Sequence, residues 1–433
     1  MIKSIIVKDP KSDAEMLRKR STSGIISNEA FQRTQSIVHD IAKYGDSAII
    51  DYTEKLDGVR LKSLKVTHEE VKQAYTKVTC KQIQSIKLMK QRLMKSETTV
   101  LRHFFKKIRI SSDGIIIHRL VQPIISVGCY IPGGKARYPS TLVMCTVPAK
   151  VAKVKRIVAI SPPLKDGTVD PLTLVAADIC GVDEFYKIGG AQGIAALAFG
   201  TSTINGVSKI VGPGGLFVTV AKILASSKVS VDMVAGPTEL LIYADSSSNP
   251  RLIALDLISQ AEHGYDTLCG LVTTSEELAL KVVNEIKSII ENNNYGRTDI
   301  IKKSLKENGF FAVCKNQSSA IEFVNQIAPE HLEILAKNAK PISRKIITSG
   351  LTLVGKHTPS SASDYFLGSN HVLPTMGLGK SRSSLSVLDF VKIVNIVEAT
   401  KSGLNKVEWA IKELASAEGL MNHYEAVRER ITK

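Results

Sequence analysis

A glutamine, a glutamate and a histidine stand close together in the segment Asp256-Leu-Ile-Ser-Gln-Ala-Glu-His263, and their types point to metal binding. The apolar residues of this segment are spaced as on one face of a helix, so we predict a helix over 251–263. Because residues three apart share a helix face, Gln260 and His263 would present a carbonyl oxygen and an imidazole nitrogen together. This pair is half of a site for a zinc-like ion, and the other ligands must come from elsewhere.

Two later segments hold residue types that could complete such a site. Asp364 lies in a long polar stretch, and its carboxylate is an oxygen ligand suited to zinc; a loop carboxylate that caps a turn is the alternative. Near the C-terminus, Glu418 and His423 flank Gly419, which we expect to end a helix. A histidine in a tail is usually just exposed, but His423 is the best remaining imidazole for the site.

The neighbouring residues Glu330 and His331 form a candidate acid–base pair. Pro329 predicts the start of a helix, which would place both residues in its first turn. Imidazole titrates near neutral pH, so the pair could share general acid–base work. The alternative is a glutamate favoured by the helix dipole beside a histidine without a catalytic role.

The elements that must position these residues alternate between strand and helix patterns. Residues 1–110 are expected to be mainly helical, and so is the tail over 403–433. Between them, short apolar runs bounded by Gly or Pro alternate with helical stretches, which predicts α/β architecture with mostly parallel sheets. The predicted strands are 114–118, 123–132, 157–162, 185–188, 209–213, 239–245, 270–274 and 309–314.

Three glycine-rich turns follow predicted strands, at 132–134, 189–193 and 212–215. Backbone amides in such turns can approach a phosphate at a helix N-terminus. None of them has the spacing of a dinucleotide fingerprint or a P-loop. Each turn alone favours a structural role, and the three together leave nucleotide binding and a purely structural role equally open.

Composition limits the class of protein. The 433 residues, with 44% hydrophobic and 23% charged, suit a globular chain of more than one domain. No apolar run is long enough for a bilayer, the N-terminus is charged, and six scattered cysteines form no CxxC pair, so we predict a cytoplasmic protein without membrane contact. The net charge of +16 (57 − 41) falls largely on helical faces such as 81–95, and we interpret it as solvated surface, with nucleic-acid binding as the alternative.

With these segments aligned, the chain resembles the histidinol dehydrogenase family over nearly its whole length. The blocks that carry the resemblance are 231–241, 259–263, 328–334, 370–375, 385–387 and 417–420 with His423. The resemblance implies a homodimer that contains zinc, uses NAD, and oxidises L-histidinol through L-histidinaldehyde to L-histidine, the last steps of histidine biosynthesis. In the family, the tail reaches into the partner subunit's site.

The resemblance also implies roles for single residues. Glu330 and His331 match the acid–base pair, in which the histidine is the general base and the glutamate activates water to hydrate the aldehyde. The family's zinc ligands match Gln260, His263, Asp364 and His423. The substrate contacts match these four ligands, the acid–base pair, Thr238 and Glu418.

Tyr130 and Gln192 match NAD-contacting positions of the family. Gly215 stands where the family usually has an Asn that touches NAD, so a side-chain contact to the cofactor is missing. Thr238 replaces the commoner Ser and keeps its hydroxyl, and Ser363 and Ser384 stand where Gly is usual.

The resemblance implies two Rossmann-like parallel-sheet domains with helical extensions. The expected limits are an N-terminal helical arm over 1–25, a main α/β domain over 26–129 plus 239–382, a second Rossmann-like domain over 130–238, and a tail over 383–433. Two rival functions remain: a related zinc and NAD dehydrogenase for another small alcohol such as a sulfonated diol, and a zinc hydrolase in which Glu330 activates metal-bound water. Glu418 and His423 argue against the first, and the second would need no NAD.

Overall fold

The structure is a computed structural model that describes residues 2–22, 27–104, 108–133, 137–233, 236–292 and 296–432, without the side chains of residues 20–22. Its strands are β1 (Lys3–Val7), β2 (Ile108–Ser112), β3 (Ile115–Pro123), β4 (Ser126–Tyr130), β5 (Arg156–Ile160), β6 (Glu184–Tyr186), β7 (Lys209–Val211), β8 (Ser230–Val231), β9 (Glu239–Ala244), β10 (Leu268–Thr273), β11 (Gly309–Cys314), β12 (His331–Leu335), β13 (Leu351–Val354) and β14 (Val391–Ala399).

The helices connect these strands and form both ends of the chain. They are α1 (Pro10–Thr22), α2 (Asn28–Tyr44), α3 (Asp46–Asp57), α4 (His68–Thr76), α5 (Cys80–Phe104), α6 (Pro139–Val151), α7 (Pro171–Cys180), α8 (Gly190–Phe199), α9 (Leu216–Ala225), α10 (Pro250–Ala261), α11 (Glu276–Asn292), α12 (Thr298–Glu307), α13 (Gln317–Ile327), α14 (Ala339–Ser343), α15 (Ser360–Ser363), α16 (Lys401–Ala417) and α17 (Met421–Thr432). No helix in the described ranges is both long and apolar enough to cross a membrane.

The first sheet has six parallel strands in the order β1-β11-β10-β9-β12-β13. Helices cover both faces of this sheet, so the side chains on both faces of its strands are apolar. On β9, Leu240 and Ile242 pack with α10, α11 and α12, whereas Leu241 and Tyr243 pack with α1 and α13. Because helices cover both faces of β9, its apolar residues form a nearly continuous run rather than alternating with polar residues.

The second sheet has five parallel strands in the order β6-β5-β4-β7-β8. Its central strand β4 buries Val127 and Cys129 against α5, α6 and α7, and the opposite face is covered by α2, α3, α8 and α9. The predicted architecture of two parallel α/β sheets with helical extensions is therefore confirmed.

A third sheet, with antiparallel order β14-β3-β2, lies outside the two α/β layers. Part of β3 is predicted by the sequence pattern, whereas β14 is not, because no Gly or Pro directly precedes it. β14 pairs along its full length with β3, from Val391 opposite Pro123 to Ala399 opposite Ile115. The helices α16 and α17 follow it, which confirms the predicted helical tail.

Three features of the first 130 residues differ from the expected arrangement. The N-terminal arm contains the helix α1, but it begins with β1, which joins the edge of the first sheet beside β11. In addition, the helices from α2 to α5 pack on the second sheet, although the expected limits assign them to the main domain. β4 also spans the expected boundary at residue 130. The domain limits themselves remain a prediction.

Glu97 is a carboxyl group buried in the fold, and it predicts a pH dependence of stability. It lies on α5, is 5% exposed, and its Oε2 accepts a hydrogen bond from Val387 N at 2.6 Å. Burial raises the pKa of Glu97 from 4.5 to about 7, opposed by Val387 and helped by Asp389. The pKa of Glu97 in the folded protein is thus raised above the ordinary value of 4.5. The stability that protonated Glu97 contributes is fully present below pH 4.5 and is lost as the pH rises through about 7.

Glu97→Gln keeps an acceptor for Val387 N and removes the charge. We expect the variant to be more stable than the parent at pH 8.5 by on the order of 3 kcal/mol, with a much smaller difference at pH 5. Thermal unfolding at both pH values measures this, with the exposed Glu291→Gln as control. An equal difference between variant and parent at the two pH values would contradict the assignment.

Candidate active site

A cavity of about 470 Å³ lies between the two parallel sheets. The segments that precede β9, β10 and β12 line it from the first sheet, and the segments that follow β4 and β7 line it from the second. Seven residues singled out from the sequence line this one cavity: Gly215, Thr238, Gln260, His263, Glu330, His331 and Asp364. Side chains from segments far apart in the chain are therefore brought together.

Glu330 and His331 do not lie in a helix, so that prediction is wrong. The helix α13 ends at Ile327, Ala328 follows with φ 50°, and His331 is the first residue of strand β12. Proline is common just after a helix C-terminus, and Pro329 marks the end of α13 rather than the start of another helix. β12 is buried between β9 and β13, where its backbone is paired on both sides.

The orientation of His331 follows from its hydrogen bond to the main chain. Its Nδ1 lies 3.1 Å from the carbonyl oxygen of Glu239. A carbonyl only accepts, so Nδ1 carries a proton, and in the neutral form of the imidazole the lone pair is on Nε2. Nε2 is buried without a hydrogen-bond partner among the described residues, and Asp364 Oδ1 lies 3.9 Å away. The basic nitrogen of His331 is thus directed at the cavity and at Asp364.

Glu330 is held by two donors that both reach Oε2. These are Thr238 Oγ1 at 2.6 Å and the backbone N of Glu239 at 2.7 Å. His331 Nδ1 lies 3.6 Å from the same oxygen. Glu330 is 6% exposed, its Oε2 is fixed in place, and the residue lines the cavity.

The same hydrogen bonds determine how the amide of Gln260 is oriented. Thr238 Oγ1 gives its only proton to the Glu330 carboxylate, so it must accept from Gln260, and the donor at 2.7 Å is Nε2. Gln260 Oε1 is left facing Ser360 Oγ at 3.5 Å, the outer limit of a hydrogen bond. The carbonyl oxygen of Gln260 is therefore the atom free to bind a cation.

The helix that carries Gln260 is shorter than predicted. α10 ends at Ala261 with Glu262 as its C-cap, and His263 lies in the turn beyond it, with its backbone N donating to Gln260 O at 3.1 Å. His263 is exposed, and it lines the same cavity as Gln260. The two residues therefore do not share a helix face, and their pairing as metal ligands stays a prediction.

Asp364 follows the short helix α15 and has two imidazoles near it. Its Oδ1 lies 3.9 Å from His331 Nε2 and 4.0 Å from His371 Nδ1, and its backbone oxygen accepts from His371 Nδ1 at 2.8 Å. His371 was not predicted as a site residue, although it lies in one of the blocks that carry the resemblance, 370–375. Burial lowers the pKa of His371, against the opposing effect of Asp364.

The residues of the predicted metal site are only partly assembled within one chain. Gln260, His263 and Asp364 line the cavity, whereas His423 lies on α17, is exposed, and does not line it. Across the described ranges, no group of three or more His, Cys, Asp and Glu side chains is close enough to hold a metal ion. The described residues of one chain therefore do not bring the four predicted ligands together.

The C-terminal helices expose apolar surface near the predicted tail residues. Gly419 has φ 72° and ends α16, as predicted, and Glu418 just before it is exposed. Trp409 is 67% exposed and Leu414 is 65% exposed. Both residues lie on α16, and exposed apolar side chains of this size are typical of a surface that contacts another protein.

The residues matched to NAD contacts lie at the carboxyl edge of the second sheet. Tyr130 ends β4, and its hydroxyl accepts from Gly190 N at 3.2 Å, at the start of α8. Gln192 is 1% exposed, and its Oε1 has no partner in the described part of the chain. Neither side chain lines the cavity, whereas Gly215, the N-cap of α9, does.

Two of the glycine-rich turns lead into helices, at the starts of α8 and α9, and Gly134 of the third lies outside the described residues. Gly212 has φ 112°, and a Cβ there would lie 2.2 Å from the carbonyl oxygen of Tyr130. Only glycine fits this approach between β4 and β7. Helix N-termini that open at the edge of a parallel sheet are suited to an anionic group.

Two parallel α/β layers that meet at a cavity with a buried carboxylate–imidazole pair are typical of an α/β enzyme. The chain belongs to the histidinol dehydrogenase family, whose model matches residues 20–431. It is 42% identical to histidinol dehydrogenase of Clostridium acetobutylicum over 98% of both chains, and 40% identical to that of Methanocaldococcus jannaschii over 100% of both. The crystal structure of histidinol dehydrogenase from Elizabethkingia anophelis superposes with a TM-score of 0.93 at 33% identity, covering 100% of this chain and 98% of that one.

Proposed function

We propose that this protein oxidises L-histidinol, through L-histidinaldehyde, to L-histidine with NAD and zinc. The observation that carries the proposal is the cavity in which Glu330, His331 and three candidate metal ligands meet. When bound, zinc would orient the amine and imidazole of the substrate, and NAD would accept the hydride. The chain itself supplies the proton acceptors and their positions.

His331 is the general base in this proposal. Its Nδ1–H is engaged with the Glu239 carbonyl, which leaves Nε2 to take the hydroxyl proton while hydride leaves the carbinol carbon for the nicotinamide. After this proton has been released to solvent, the same nitrogen takes a proton from the aldehyde hydrate in the second oxidation. Both steps therefore use one nitrogen whose tautomer is fixed by the main chain.

Glu330 activates the water that hydrates the aldehyde. Thr238 and the Glu239 amide hold Oε2, so the carboxylate is oriented before the water arrives. The neighbouring imidazole compensates part of its charge when protonated. The alcohol step needs no water, so Glu330 and His331 have separable roles.

The donor set fits zinc in part within one chain and fully across two. Gln260 Oε1, His263 and Asp364 supply one neutral oxygen, one imidazole and one carboxylate. His423 of the partner subunit would be the fourth ligand, and Glu418 of the partner subunit would contact the substrate. The exposed apolar residues of the tail support a homodimer in which the tail of each subunit contributes to the site of the other.

Mixing two inactive variants tests the shared site. We expect His263→Ala and His423→Ala each to abolish activity, since each removes a ligand. In a mixed dimer one of the two sites would regain a complete set, so subunit exchange should restore about a quarter of the parental activity. Mixing His263→Ala with Asp364→Ala is the control, because both changes lie on the same side of the site. No recovery in the first mixture would show that the sites are not shared.

Gly215 is expected to weaken NAD binding, and Gly215→Asn tests this. Gly215 has φ −71°, a Cβ there would have nothing within 4 Å, and the residue lines the cavity. An asparagine therefore fits without strain and can add one hydrogen bond to the cofactor, which should lower the KM for NAD about threefold to tenfold. The Gly215→Ala variant separates this contact from a backbone effect. An unchanged KM for NAD in the asparagine variant would contradict a cofactor contact at this position.

The alternative substrate is another small alcohol, such as a sulfonated diol. Glu418 and His423 favour histidinol, since both match positions that contact it in the family. We also propose that the protein works in the cytoplasm and without nucleic acid. Its described cysteines are free thiols, the state that the cytoplasm maintains.

A further inference from the structure

We propose that Arg18 of the N-terminal helix α1 is a positioning residue for Glu330 and His331, and that it acts through Glu239. The inference rests on the proposed function, because it concerns the same acid–base pair. It makes the N-terminal arm part of the active-site framework rather than a separate extension.

Arg18 reaches from α1 into the space behind the cavity. Its Nη1 donates to Glu239 Oε1 at 2.5 Å and its Nη2 donates to Oε2 at 3.1 Å, so the guanidinium contacts both carboxylate oxygens. Its Nε donates to Ile327 O at 3.2 Å, and Nη2 also donates to that carbonyl. The planar fork of arginine thus ties β9 to the end of α13, a geometry that lysine cannot reproduce.

Glu239 connects this ion pair to both members of the acid–base pair. Its backbone N donates to Glu330 Oε2 at 2.7 Å, and its side-chain Oε2 accepts from Glu330 N at 3.2 Å. Its backbone oxygen lies 3.1 Å from His331 Nδ1 and sets the tautomer of that ring. Its side chain also accepts from Met376 N at 2.8 Å. A shift of Glu239 would therefore move both Glu330 and His331.

Burial makes Arg18 necessary for this arrangement. The Glu239 side chain is 4% exposed and the Arg18 side chain is 14% exposed. Glu239 also lies beside the Glu330 carboxylate, which repels it. Without Arg18, a carboxylate would remain buried next to another carboxylate, which strongly favours its displacement. Small displacements of catalytic groups cost activity while leaving distant substrate contacts intact.

The test compares Arg18→Met, Arg18→Lys and the control Lys11→Met in the full-length protein. Lys11 is an exposed cation on the same helix. We expect Arg18→Met to lower kcat for histidinol about tenfold to a hundredfold, with the KM for histidinol and the zinc content nearly unchanged. Arg18→Lys should keep the charge, lose the fork, and fall between Arg18→Met and the parent. Lys11→Met should match the parent.

Chemical rescue separates positioning from a general loss of stability. Millimolar guanidinium, far below denaturing concentrations, should raise kcat of Arg18→Ala by occupying the space that the arginine side chain leaves. It should have no such effect on Lys11→Met. A folded Arg18→Met with parental kcat would overturn the inference and leave the proposed function intact. If Arg18→Met does not fold, parental kcat in Arg18→Lys would overturn it. A parent protein that forms no NADH from histidinol would overturn both.

Discussion

His331→Asn is expected to lower kcat for histidinol oxidation by about three orders of magnitude while the KM for histidinol changes little. Asparagine can still donate to the Glu239 carbonyl, so the local structure should survive, but it has no basic nitrogen to take the substrate's proton. Steady-state NADH formation gives both constants. His103→Asn on α5, an exposed histidine, is the control. A large loss of affinity with kcat retained would contradict the role of general base.

The pH profile of the parent protein belongs to the same prediction. Burial lowers the pKa of His331, but the carboxylates of Glu330 and Asp364 and the Glu239 carbonyl outweigh it and raise the pKa to about 9. A base must be neutral to accept a proton, so kcat/KM should rise with pH until His331 is deprotonated. A cation bound to Asp364 offsets that negative charge and should move the rise to lower pH. The rise should be absent in His331→Asn.

Glu330→Gln is expected to separate the two oxidations. Glutamine can accept from Thr238 and the Glu239 amide, so the side chain should stay in place, but it cannot deprotonate water. Oxidation of supplied L-histidinaldehyde should fall about 10²- to 10³-fold, and oxidation of the alcohol much less. Single-turnover NADH formation from each substrate measures the two steps. Equal losses in both steps would contradict the assignment.

Glu262→Gln is the matched control for this experiment. Glu262 lines the same cavity, is exposed, and has no role in the proposal. We expect it to affect both oxidations little and equally. A preferential loss of aldehyde oxidation in Glu262→Gln would transfer the water-activating role to that residue.

The sequence predicted most of what local patterns can encode. Strands β9 and β11 lie where the apolar pattern placed them, because burial on a sheet repeats over a few residues. Residue types alone also singled out the candidate ligands, and the resemblance then implied a role for each. The contacts among Gln260, Thr238 and Glu330 come from the structure.

The missed and wrong predictions share a physical cause, which is pairing between residues far apart in the chain. β1 was missed because its partner β11 lies about 300 residues away, and β14 pairs with β3 in the same nonlocal manner. Glu330 and His331 were predicted in a helix because a proline such as Pro329 occurs both at the start of helices and just after their ends. The pairing of β12 with its neighbouring strands determines that this segment is a strand. Arg18 and Glu239 are 221 residues apart, so no local pattern connects them.

The central claim is a zinc-dependent, four-electron oxidation of histidinol, and the most direct measurement is NADH formed per L-histidinol consumed. The account predicts about two NADH per histidinol, lost when a chelator removes the metal and restored by added zinc. NADH yield that a chelator leaves unchanged would contradict the metal site. No NADH from histidinol despite bound zinc would contradict the substrate and favour another small alcohol.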